Sequence, residues 1–253
     1  MKFAGLVEYD GSGFSGWAAQ PGRRTVEDSL MEAFRTVLRQ PVKLSVAGRT
    51  DAGVHASGQV ISFSADTVLA PKEIAYKVTA VLPKDLALRR CASVPEDFDA
   101  RRNARSRSYE YRITNDPVRS PLTWDNSNYV ARKLDFELLK KAATLILGAH
   151  EFRAFTPSRT YHVRFGRAIS ESSWMKNGDL LVYRITADSF LYGMVRTLVG
   201  TMIEVSEGKR TLEDFGRLIT GGVRKEAGHS APARGLTLVE VGYDDLNLKR
   251  SLS

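Results

Sequence analysis

Arg49 and Asp51 stand two residues apart in Ala47-Gly-Arg-Thr-Asp-Ala-Gly-Val-His55, a turn bounded by Gly48 and Gly53 and flanked by apolar segments. An aspartate in such a turn can hydrogen-bond its own backbone. It can also serve as a nucleophile or general base, because a cation beside a carboxylate lowers its pKa by ~1–3 units and keeps it ionised. The glycines leave room for a ligand to approach the backbone. Taken alone, the loop leaves both readings open. His55 follows Asp51 by four residues, yet no serine or cysteine nucleophile accompanies it and G-x-S-x-G is absent. The earlier Asp10-Gly-Ser-Gly-Phe-Ser-Gly16 lacks the Lys-Ser/Thr ending of a phosphate loop, so neither segment is assigned chemistry.

Three further side chains have the right type and setting. Tyr109 and Tyr111 alternate on a strand-like run with Ile113, so all three share one face. Core packing accounts for at least one tyrosine. The other reading is a stacking platform for a nucleobase, which contributes ~1–3 kcal/mol per base. Arg101, Arg102, Arg105 and Arg107 lie immediately upstream, and arginines interleaved with tyrosines fit RNA. Arg196 sits among Leu191, Val195, Leu198 and Val199 and therefore needs an anionic partner, either a protein carboxylate or a ligand phosphate.

The elements that must position these residues follow from periodicity. Lys2–Tyr9 reads as a strand. A helix runs from a Thr25 cap through residue 38 with Val26, Leu30, Phe34, Val37 and Leu38 on one face, and Asp28 only approximates a capping box. Residues 42–47 and 59–64 are strands on either side of the Asp51 loop. Pro71 starts a helix whose Ile74, Val78, Val81 and Leu82 share a face before Pro83 ends it. Residues 85–94 and 107–114 are two more strands. After a Pro/Asp/Asn-rich connection, Asp135 caps a helix through Leu147 that Gly148 stops. Residues 168–187 form a hairpin around Asn177-Gly178, the pair favoured in a type I′ turn. Helices are expected over 188–205 and from Thr211 to Gly221-Gly222, followed by a strand over 235–243. The last half-dozen residues are expected to fray. "EYDGSGF" early and "ITADSFL" late echo each other as strand, Asp-containing turn and helical material, which points to two related α+β lobes.

The chain has 253 residues, 43% of them hydrophobic, enough for a large core in one or two domains. Its net charge of +8 favours a polyanionic partner, nucleic acid before membrane. One cysteine, Cys91, excludes an internal disulfide and fits a reducing compartment. The four histidines are scattered without metal-ligand spacing, so no metal site is expected. The N-terminus reaches Glu8 and Asp10 before any signal-peptide-like run, and no segment approaches the ~20 apolar residues of a membrane span. These features describe a soluble, cytoplasmic protein.

Five ordered blocks, "YDGSGFSGWAAQPGRRTVEDSLMEAF", "AGRTDAGVHASGQVISF", "ARSRSYEYRI", "FLYGMVRTLVG" and "SAPARGLTLVEVGY", span Lys2 to about Tyr243 and resemble the TruA family of tRNA pseudouridine synthases. The resemblance implies an α+β pseudouridine-synthase fold. In it, two related α/β lobes of ferredoxin or RRM type share a mixed, mainly antiparallel sheet with a basic cleft between them. Residues 1–115 would form the lobe carrying the catalytic loop and residues 116–253 the lobe completing the cleft. It further implies isomerisation of uridine at positions 38, 39 or 40 of the tRNA anticodon stem-loop, by a homodimer that uses neither metal nor organic cofactor. By position, Asp51 would be the family's essential nucleophile, Arg49 its pairing arginine and Arg196 the second active-site arginine. Tyr109 would lie at the target base and Leu236 would line the pocket. Arg23, Arg24, Arg101, Arg105 and Arg107 are the expected RNA contacts. The sequence departs from the usual pattern at Ala18, Ser57, Asp99 and Leu191-Tyr192-Gly193, all outside this catalytic set.

Overall fold

Lys2–Tyr9 forms the first strand, β1, in a computed structural model that describes residues 1–160 and 162–244. Its apolar residues are buried on both faces, so it is a central strand rather than a half-exposed one. β1 is followed by α1 (Val26–Leu38), β2 (Ser45–Val46), β3 (His55–Ser64), α2 (Pro71–Val81) and β4 (Leu86–Ser93). Then come β5 (Ser106–Thr114), β6 (Asn128–Tyr129), α3 (Phe136–Leu145), β7 (Gly148–Glu151), β8 (Gly166–Asn177) and β9 (Leu180–Ala187). α4 (Met194–Ser206), α5 (Leu212–Leu218) and β10 (Leu236–Gly242) follow. The α+β class read from the sequence is the class observed.

The chain divides into two compact units, Met1–Ser106 with the strand from Thr237 onward, and Arg107–Leu236. The sequence placed the lobe boundary in the connection after residue 115. The break falls ahead of β5 instead, because β5 pairs antiparallel with β9 from Arg107 to Thr114 and so belongs to the second unit.

In the first unit the strand order is β4-β1-β3-β10, with β2 added to β3; β10 is parallel to β3 and the other pairs are antiparallel. α1 and α2 pack together over the sheet. Phe63 ties Phe3 to Phe34, with ring centroids 5.4 and 4.5 Å apart. A second cluster of Ala4, Leu6, Ala47, Val60, Phe98 and Ala100 is also buried, with Tyr243 packed against it. Each fully buried aromatic contributes about 1.5–3 kcal/mol. Thr25 caps α1 as expected, its hydroxyl accepting from Asp28 N–H and donating to the Asp28 carboxylate at 2.6 Å. On α2, Ile74, Ala75 and Val78 are buried, whereas Val81, expected on that face, is half exposed in the last turn.

In the second unit the order is β5-β9-β8-β7, with β6 parallel to β5. α3 packs on β8 and against α4 and α5. Asp135 caps α3 by accepting from Glu137 and Leu138 N–H. α3 stops at Leu145, short of the expected Leu147, because Gly148–Glu151 pairs with β8 as a strand that the sequence reading missed. The β8–β9 hairpin is centred on Gly178-Asp179, one residue later than expected. Asn177 pairs with Leu180, and only Gly178 of the two loop residues has a positive φ, +59°, the pattern of a type II′ turn. α4 begins six residues later than residue 188, since Gly193 before it is left-handed (φ +67°) and breaks any helix running through it. The expected fraying of the C-terminus lies outside the described residues.

Candidate functional site

The Asp51 loop begins where β2 ends and finishes where β3 starts, and its backbone is held at successive points. Gln59 Nε2 donates to Gly48 O at 2.6 Å, and Trp17 N–H to Thr50 O at 3.0 Å. Val54 N–H closes a turn onto Asp51 O at 3.2 Å, and Gly53 N–H reaches Phe14 O at 3.3 Å. The Thr50 hydroxyl meets Tyr9 Oη at 2.7 Å. Tyr9 is buried at the end of β1, after a register shift between Val7 and Tyr9, and packs against Phe14 and Trp17. Burial pushes its phenol pKa up to about 12, although the hydrogen bonds with Thr50 and Gln59 oppose the shift.

The glycine-rich segment after β1, which matched no phosphate loop, is the support under this turn. A Cβ on Gly11 would lie 2.1 Å from Val54 O, so only glycine lets the two backbones meet. Gly11 N–H donates to His55 Nδ1 at 3.1 Å. The same nitrogen lies 3.1 Å from Asp10 Oδ1, so Nδ1 either accepts from Gly11 or, where it carries the hydrogen, donates to Asp10. His55 therefore anchors the support. The sequence reading missed Tyr9, Gly11, Trp17 and Gln59; the available signal was the Tyr-x-Gly and Gly-Trp spacing ahead of α1, read only for phosphate binding.

Asp51 is partly buried, whereas Arg49 is exposed and forms no ion pair among the described residues. The Arg49–Asp51 pairing expected from the sequence is absent, because the chain bends at Asp51 into the 51–54 turn while Thr50 between them is drawn inward.

Tyr109, Tyr111, Arg196 and Leu236 belong to the second unit. Tyr109 is 8% exposed on β5, with its ring edge-on to Phe190 at 5.1 Å. Tyr111 is fully buried, donates to Pro232 O at 2.9 Å, and has its pKa raised by burial against the opposing charges of Arg196 and Arg234. Both tyrosines are thus buried, Tyr111 completely. Arg196 is half-buried on α4, and its Nε–H donates to Ala231 O at 2.8 Å while Ala231 N–H returns to Arg196 O at 2.9 Å. Gly228 to Ala231 thus form a strap along α4, also held by a Thr197–Ser230 hydroxyl pair at 2.8 Å and by Gly228 N–H on Thr201 Oγ1 at 3.0 Å. Gly200 lets it approach, since a Cβ there would sit 1.8 Å from His229 O. Leu236 is buried at the start of β10.

The expected RNA contacts divide. Arg23 and Arg101 are exposed. Arg24 is committed to Asp85 through two bonds of 2.7 and 2.6 Å and lies 4.0 Å over the Phe14 ring. It clasps the support segment, and that pairing holds the Asp85 carboxyl below its usual range. Arg105 pairs with Asp244 at 2.7 Å, and Arg107 donates to Asp188 O at 2.9 Å. Asp99, the departure from the usual histidine, accepts from Arg101 and Arg102 N–H and caps its own turn. Among the described residues, no His/Cys/Asp/Glu group could hold a metal and no helix is long and apolar enough to cross a membrane.

The model of a tRNA pseudouridine synthase family matches residues 6–101 and 142–244, and the chain belongs to that family. It is 37% identical over 238 residues to the tRNA pseudouridine synthase A of Acetivibrio thermocellus, covering 94% of this chain and 98% of that one. The tRNA pseudouridine synthase A of Geotalea uraniireducens is also 37% identical, with the same coverage. A solved Cbf5-Nop10-Gar1 complex aligns over 96% of this chain and 60% of that chain, at 12% identity and a TM-score of 0.36, too loose a likeness to argue from.

Proposed function

We propose that this protein isomerises uridine to pseudouridine at positions 38, 39 and/or 40 of the tRNA anticodon stem-loop, as a cytoplasmic homodimer, with Asp51 acting on a flipped-out uridine. The observation that carries this reading is the Asp51 loop: a carboxylate on a backbone tied at Gly48, Thr50, Asp51 and Gly53. Such fixing gives a reacting group its orientation before substrate arrives.

The reaction breaks N1–C1′, turns the uracil and joins C5 to C1′; C5 loses a proton and N1 gains one, so mass is conserved. A carboxylate can attack C1′, attack C6, or assist departure of the base as C2′ is deprotonated. The first two routes use Asp51 ionised as a nucleophile. Tyr109 stacks on the turning base, Arg196 stabilises negative charge and Leu236 bounds the pocket. Arg49, being exposed, contacts the RNA backbone instead of holding Asp51 charged. The flipped base comes out of the stem at a cost of a few kcal/mol, which RNA contacts offset.

The test is to incubate unmodified tRNA with the protein and map pseudouridine along the anticodon arm. Pseudouridine confined to positions 38–40, with no free uracil, is the expected result. Release of free uracil would mean a hydrolase acting on the same bond and would overturn the proposal. Light scattering should give twice the 28.1 kDa chain mass.

A further inference from the structure

Thr50 lies between Arg49 and Asp51, and its hydroxyl is buried against Tyr9 Oη at 2.7 Å. Gln59 is wholly buried beside them, with Nε2 2.6 Å from Gly48 O and 3.5 Å from Tyr9 Oη. Its Oε1 accepts from Val60 N–H at 3.2 Å. These groups form a polar chain running Gly48–Gln59–Tyr9–Thr50 inside the first unit. A buried chain of this kind is costly to leave half satisfied, so its members fix one another. The core around it is aromatic: Trp17 lies 6.1 Å and Phe14 6.4 Å from Tyr9, ring to ring. Hydrophobic burial alone would be served as well by Phe at position 9 and Val at position 50.

We infer that Tyr9, Thr50 and Gln59 are positioning residues for Asp51: they pin the backbone on its N-terminal side and so set the direction of its carboxylate. This rests on the reading of Asp51 as the acting group. Gln59 fixes the peptide at Gly48, Tyr9 fixes the Thr50 side chain, and the turn from Asp51 O to Val54 N–H starts from that fixed point. Loss of the Tyr9 hydroxyl frees Thr50 to rotate and lets the carboxylate wander. A displacement of about 1 Å costs roughly a hundredfold in rate.

The experiment measures kcat and KM for tritium release from 5-tritiated uridine in unmodified tRNA, with thermal unfolding alongside. The proteins are wild type, Tyr9→Phe, Thr50→Ser, Thr50→Val and the Tyr9→Phe/Thr50→Val double variant. Tyr9→Phe and Thr50→Val should each lower kcat by about ten- to a hundredfold with KM for tRNA within about twofold. Thr50→Ser, which keeps the hydroxyl, should stay within about threefold of wild type. The double variant removes both polar groups from the buried pair, so it should recover thermal stability while kcat stays low. Recovery of kcat together with stability, or wild-type kcat in the folded single variants, would overturn the inference. Absence of release by wild type would instead count against the proposed function itself.

Discussion

The segment that carries Asp51 is held mainly through its own backbone, by Gln59, Trp17, Phe14 and Val54, with one neutral hydroxyl pair beneath it. The strap against Arg196 is held more by side chains, through Thr197, Thr201, Arg224 and Arg196 itself. Both use a glycine to bring two backbones together, Gly11 against Val54 and Gly200 against His229. Under the proposed roles, the difference suits each charge. A nucleophilic carboxylate needs one direction, which a tied backbone supplies; a guanidinium that tracks a developing charge needs a fixed plane, which one Nε–H bond supplies.

The largest effects should come from the two glycines. Gly11→Ala and Gly200→Ala each drive a Cβ into a carbonyl oxygen, and each should lower unfolding stability by more than about 2 kcal/mol, read by denaturant titration. If both are tolerated without loss, the close approaches are incidental and the comparison fails. Thr197→Val leaves the Ser230 hydroxyl without its Thr197 partner. It should cost about 1 kcal/mol and lower kcat through Arg196, with KM for tRNA little changed. Arg49→Ala should do the reverse, raising KM for tRNA severalfold and making binding less salt-dependent while kcat holds. A fall in kcat alone would return Arg49 to a role at Asp51.

The smallest effect belongs to the Arg24–Asp85 clasp, an exposed pair contributing about 0.5 kcal/mol. Because Arg24 lowers the folded-state pKa of Asp85, the clasp contributes fully above the unfolded carboxylate value, about 3.9. The contribution disappears as pH falls through the lower folded value. The stability gap between wild type and Asp85→Asn should therefore close in acid. A gap that widens there would reverse the assigned sign.

Much of the fold was legible because caps and periodicity are local. Thr25, Pro71, Asp135 and Thr211 all begin helices where the sequence placed them. The misses are nonlocal or conformational. β7 is only four residues long and exists through pairing with β8. The start of α4 depends on a left-handed Gly193, and the hairpin centre on which of two adjacent residues takes a positive φ. Asp51 and Arg196 were singled out in the sequence by residue type and neighbours, and their roles rest on the proposed function. The support by Tyr9, Gly11 and Gln59 was not legible, since their spacing does not name the distant partners they meet, Thr50, Val54 and Gly48. The Arg24 clasp was not legible either: its partner, Asp85, is 61 residues away.

The central claim is that Asp51 performs the chemistry and does not merely cap its turn. Single-turnover tritium release from 5-tritiated uridine in tRNA, wild type beside Asp51→Ala, tests it directly when tRNA affinity and thermal stability are measured on the same samples. The account predicts that Asp51→Ala folds, binds tRNA as wild type does and releases no label above background. Release by Asp51→Ala at a rate comparable to wild type would contradict it.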